Sequence, residues 1–160
     1  MDINHAKNIS RKYIMKFMFI GASIAIIFMS VLHSLKGIDH MFDWFVDHPP
    51  PILFGVAGLF IGAYFSGGLV GRMMLNKRNP ELSGILSAFL VIWTSIFITS
   101  IYMVVESSLN HPQSFLSNLE SYVLKPFYWI TIFGTIPAVV LGAIAGSRIN
   151  KKINNIANSK

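Results

Sequence analysis

Five residues in one stretch of this chain could together hold a cation: Asp39, His40, Asp43, Asp47 and His48, with His33 a short way upstream. Carboxylates and imidazoles bind zinc, or with water a harder cation, and an i, i+4 spacing lets two such groups converge from one helix. The same spacing of Asp39, Asp43 and Asp47 also makes the wet face of an amphipathic helix, which needs no metal. We therefore assign none. A histidine beside these acids could equally sense pH.

A second polar set, Ser95, Thr99, Tyr102 and Glu106, falls at i, i+4, i+7 and i+11. That is one helix face, growing more polar toward one end. It could line a water path through an oligomer. Its hydroxyls could instead bond neighbouring helices or their own carbonyls, at about 0.6 kcal/mol each, and this is the expectation.

Other chemistry finds few residues to use. There is no Gly-x-Ser-x-Gly, no His-Glu-x-x-His and no Gly-x-x-x-x-Gly-Lys-Ser/Thr, and the chain has no cysteine. Thiol catalysis and disulfides are thereby excluded. No Asp or Glu lies within a long apolar stretch, which argues against ion-coupled transport, and no pair of histidines within such stretches offers axial ligands to haem. The expectation is a protein that is not an enzyme and carries no cofactor.

The elements that must position these residues are four apolar stretches, at about residues 17–35, 52–70, 82–105 and 127–145. A helix rising about 1.5 Å per residue needs about 20 apolar residues to cross about 30 Å of hydrocarbon. Lipid offers the backbone no hydrogen-bond partners, so each span should be helical. The expected fold is an all-α integral membrane protein, a four-helix transmembrane bundle. Its domains are a basic lead-in at 1–16, a transmembrane domain at 17–147 and a basic tail at 148–160.

Charge orients the bundle. Of the 13 Lys and Arg residues all but Lys36 and Lys125 flank the same ends of the spans, which places both termini in the cytoplasm. Asp39, Asp43, Asp47, Glu106 and Glu120 make the other side acidic. Basic residues beside helix ends suit anionic lipid at the cytoplasmic face, and the polar segments are too short for a nucleic-acid-binding domain. A bacterial cytoplasmic membrane, the cell inner membrane, is the expected location.

Both outer loops are predicted to hold a short interfacial helix. In the first, Ile38, Met41, Phe42 and Phe45 recur at helical spacing opposite the acids, before His48-Pro49-Pro50-Pro51. In the second, Phe115, Leu116, Leu119, Tyr122 and Val123 share a face after His111-Pro112. The inner turn ends in Asn79-Pro80-Glu81, which reads as N-cap, first-turn proline and first-turn acid.

Small residues supply the strongest packing pattern. Gly134, Ala138, Gly142 and Gly146 recur every four residues on the fourth span. The second span carries two ridges, Gly58-Gly62-Ser66 and Ala63-Gly67-Gly71. Helices in lipid associate by close van der Waals contact, which small residues permit. The second and fourth spans are expected to cross one another, with a ridge left over for a homo-oligomer or a larger complex. An offset of 80 residues superposes parts of these two spans, a weak trace of duplication, and Pro137 should kink the fourth. The leading functional expectation is an accessory or assembly subunit acting through these ridges. The alternative is an oligomeric passive channel or small-solute transporter, and the third is an outer-face metal-dependent membrane enzyme.

Overall fold

The computed structural model describes residues 2–34, 49–110 and 115–158, and among them every element is helical. Helix α1 spans Ile3–Ser34, α2 Pro49–Leu75 and α3 Pro80–Asn110. A short helix α4, Phe115–Leu119, runs through a π-helical turn, Glu120–Leu124, into α5, Lys125–Asn158. Three helical stretches, Pro50–Leu75, Pro80–Asn110 and Leu116–Asn158, are long and apolar enough to cross a membrane. The first outer loop, with its expected interfacial helix and with Asp39, His40, Asp43, Asp47 and His48, lies outside the described residues.

Local chemistry explains how α2 hands over to α3. Lys77 sits at φ 53°, its N–H donating to the Met74 carbonyl at 3.1 Å and the Arg78 N–H to the Met73 carbonyl at 3.1 Å. This is a Schellman end, whose left-handed position favours glycine. One step later the Leu82 N–H donates to Asn79 Oδ1 at 3.1 Å, the N-cap expected from Asn79-Pro80-Glu81. A Cβ in the left-handed region costs about 1 kcal/mol, so Lys77→Gly should raise unfolding stability by roughly that amount. Denaturation of purified protein in a membrane mimic, followed by circular dichroism, measures it. No gain would mean that Lys77 makes up the cost through its charge.

Helix α3 is the hub. Helices α2 and α5 pack on opposite sides of it, α1 packs on α2, and α1 meets α5 more lightly to close the ring. The expected crossing of the second and fourth spans does not occur, since α2 and α5 barely touch. The reason lies in α3, which carries two small stripes of its own. Ser87, Val91 and Ser95 meet α2, while Gly84 faces α5 and Ala88 lines the space beside it.

A Cβ placed on Gly58 would stand 2.6 Å from Ser95 Cα, and one on Gly62 2.9 Å from Val91 Cα. Next along this ridge, Ser87 Oγ donates to Ser66 Oγ at 2.9 Å. The second α2 ridge faces α1 instead. Cβ atoms on Gly67 and Gly71 would lie 2.7 Å from Arg11 Cα and 2.8 Å from Lys7 Cα. On α5, a Cβ at Gly142 would meet Ile85 Cα at 2.7 Å, and one at Gly146 would run into the Pro80 carbonyl. All three ridges therefore make close contacts inside one chain.

Ala6, Ser10 and Ile14 are buried along the basic lead-in, which forms the first part of α1. Ile149 and Ile153 are buried along the basic tail, where α5 continues to Asn158. Ala6, Ile14, Ile149 and Ile153 join Phe17, Ala63, Val70, Met74, Val91 and Ala145 in the core cluster, which sits at the basic end. Helix α5 runs through Pro137, whose ring removes one hydrogen bond of the helix ladder.

In the second connection, of the residues expected to share an apolar face, Leu119, Tyr122 and Val123 are half-buried and Leu116 is 75% exposed, while Asn118 is fully buried. Ser107 Oγ donates to Asn118 Oδ1 at 3.2 Å, and Asn118 Nδ2 donates to Ser108 Oγ at 3.4 Å. A polar clamp fastens this segment to α3.

Candidate functional site

The helices that pack so closely at the basic end part toward the other. Between α1, α3 and α5, and reaching the start of α2, they leave a cavity of about 530 Å³. Its end toward the basic residues is set by Ile14, Phe17 and Ala145, its opposite end by Pro51, Met103 and Tyr122. Gly84 and Met103 both line it, and they stand ~28 Å apart along α3 at the rise of an α-helix. The cavity is thus tall and narrow, and close in length to the hydrocarbon layer of a bilayer, about 30 Å.

Its walls are apolar because of which residues the ring turns inward. Gly21, Ala22 and Ala25 of α1 keep that wall thin, and Gly134 does the same on α5. A Cβ on Gly21 would find Leu141 Cδ1 at 3.4 Å, and one on Gly134 would find Ile92 Cδ1 at 3.5 Å. These are ordinary contacts with side-chain tips. Here glycine makes room, whereas at Gly58 or Gly142 it permits backbone contact. Ser95, Thr99 and Ser100 put hydroxyls on the α3 wall, and among the described residues Tyr122 is the sole titratable residue of the lining.

The polar face expected on the third span lands mostly against α2. Ser95 Oγ donates to the Gly55 carbonyl at 2.7 Å, and Thr99 Oγ1 lies against Gly55, 3.2 Å from where a Cβ would stand. The Tyr102 ring stacks on Phe54 with centroids 4.5 Å apart, and Glu106, one turn further on, is half-buried. Ser95 and Thr99 border the cavity, but the set as a whole is a helix contact and not a continuous wet strip. Among the described residues no three His, Asp or Glu side chains come together to hold a metal.

Two arginines find aromatic seats at the basic end of the bundle. The Arg11 guanidinium lies 3.8 Å over the Tyr64 ring, and its Nε donates to the Tyr64 carbonyl at 3.3 Å. Gly68 leaves room for it. The Arg148 guanidinium lies 5.9 Å from the centroid of Phe17, the aromatic at the foot of the cavity. Sequence reasoning counted both arginines for topology and missed these seats. It also missed Asn118 and the cavity itself, although the i, i+4 run Gly21-Ala25 facing Gly134-Ala138 was there to be read.

No family model matches the chain, and no curated protein or solved structure does either. What the fold defines is a helical protein with three apolar helices long enough to cross a membrane, arranged with α1 around an apolar cavity.

Proposed function

We propose that the chain is a four-span protein of the bacterial cytoplasmic membrane, with α1 as the fourth span and both termini inside. It acts without catalysis, by holding a hydrocarbon chain in the cavity between α1, α3 and α5. The observation that carries this is the cavity itself, tall, apolar, and of a volume ordinary for small-molecule sites, about 300–1,000 Å³. An apolar cavity of this kind stays dry and takes up hydrocarbon. The surface of the helices agrees, with Leu53, Phe65, Phe97 and Ile136 all more than 60% exposed, as lipid requires.

The cysteine-free sequence makes the test simple. Ala22→Cys places one thiol on the cavity wall. In proteoliposomes it should react with an alkyl maleimide dissolved in the bilayer and be spared by a charged, water-soluble maleimide. Fast reaction with the charged reagent would turn the cavity into a water path and favour the channel alternative. The metal-enzyme alternative rests on Asp39, His40, Asp43, Asp47 and His48 and draws no support from the described residues.

A second reading keeps the accessory-subunit role but moves it. The ridges are used internally, yet α5 continues ~18 Å past Gly146, the residue that meets Pro80. There Asn150, Asn154 and Asn155 line a polar recess with Asn79 and Glu81. A photo-crosslinker at Asn154 in living cells should yield one discrete protein adduct if a partner docks there. Lipid adducts alone would end this reading.

A further inference from the structure

We infer that the cavity is the seat of one anionic phospholipid, one of its two acyl chains between α1 and α5 and its phosphate against Arg148. This rests on the hydrocarbon-holding reading above and goes on to name the occupant and its orientation.

Three observations lead to it. The first is where the ring is weakest: α1 meets α5 more lightly than any other neighbouring pair, and the cavity lies behind that seam. An occupant drawn from the bilayer can pass there without parting the glycine-tight contacts of α2 and α3. The second is shape. A space ~28 Å tall that runs along the helices fits an extended chain and not a compact solute.

The third is charge, and it sets polarity. At the outer end the flanking groups among the described residues are Pro51, Met103, Tyr122 and Pro126, and nearby Lys125 is paired with Glu120 at 3.2 Å. At the inner end Phe17 closes the cavity and Arg148 stands over its ring. Arg148 is exposed, and among the described residues no carboxylate pairs with it. Lys152, one turn along α5, and Lys16, next to Phe17 on α1, are exposed as well. A guanidinium binds phosphate through two parallel hydrogen bonds, and here it stands where an inner-leaflet headgroup would lie once its chain entered the seam. A zwitterionic headgroup offers the same phosphate but brings its own cation to this basic rim.

The test uses the full chain, purified in a mild detergent and loaded from vesicles of equimolar phosphatidylglycerol and phosphatidylcholine with identical acyl chains. Native mass spectrometry then reads the retained lipid. The expected result is one bound lipid, with phosphatidylglycerol preferred, and a preference about fivefold lower in Arg148→Gln, the share of one basic side chain at an anionic surface. Gly134→Leu and Gly21→Leu, whose added side chains point into the cavity without meeting backbone, should lose both lipids while keeping helical content and elution volume. Equal retention of the two lipids by the wild-type protein would overturn the anionic seat and leave the cavity reading standing. An equal drop in Lys16→Gln and Arg148→Gln would also overturn it, since diffuse charge would then suffice. No retained lipid of either kind, or unchanged retention in both glycine variants, would overturn the cavity reading and this inference with it.

Discussion

Gly142→Leu should destabilise the bundle more than any other single change proposed. A Cβ there would lie 2.7 Å from Ile85 Cα and 2.8 Å from the Gly84 carbonyl oxygen. Both are backbone atoms, so no rotamer change relieves the clash and α5 has to move away from α3. The displacement is shared along the ridge, because Gly146 meets the Pro80 carbonyl and Gly84 meets Gly142 and Gly146 on the same line. Overpacking a core usually costs about 1–3 kcal/mol where side chains can shift. With backbone on both sides the loss should exceed ~3 kcal/mol, a large part of the 5–15 kcal/mol that holds a typical domain together. Unfolding in a mild membrane mimic, followed by far-ultraviolet circular dichroism, measures the loss, with Gly21→Leu as the control that adds the same side chain where there is space. Equal midpoints for Gly142→Leu and wild type would disprove the close α3–α5 crossing.

The second large effect concerns the polar clamp. Asn118→Leu should release the segment 115–124 from α3 and cost about 1–3 kcal/mol, since the hydroxyls of Ser107 and Ser108 lose the partner they share. Leucine is close in size, so the loss reports hydrogen bonding more than volume. Backbone amides of the π-turn should then exchange with solvent faster than in the wild type while those of α2 keep their protection. A double-mutant cycle with Ser107→Ala isolates the pair, and additive losses would mean that the clamp carries no coupling. Tyr122, which lines the outer end of the cavity, lies on the released segment, so the same variant also loosens the cavity's upper wall.

Sequence reasoning read some of this architecture directly. Asn79-Pro80-Glu81 announced the start of α3, and the hydrogen bond from the Leu82 N–H to Asn79 confirms the cap. The ridges on the second and fourth spans do mark close contacts. Their partners were not legible, because i, i+4 spacing shows that a face can be approached but not by what. The answer lay in α3, where serines, valine and alanine do the work of glycine and make a less conspicuous stripe. The lead-in looked peripheral because Lys7 and Arg11 dominate its hydropathy, while Ala6, Ser10 and Ile14, the residues it buries, are mostly small. The clamp depends on Asn118 finding two serines on another helix, a long-range event with no local signature. A cavity is hardest of all to read, since it is space between elements and no single residue encodes it.

The place of α3 at the hub has a bearing on the order of assembly. As the chain emerges, α1 and α2 can pair first, through Gly67 and Gly71, and α3 can then seat itself on Gly58 and Gly62. Neither event forms the cavity, which lacks its third wall until α5 docks on α3 through Gly142 and Gly146. During that interval the face of α3 that will bear α5, and the small residues of α1, are open to the bilayer. A lipid already resting there when α5 arrives would be enclosed during biogenesis, as a component built in and not a guest admitted later.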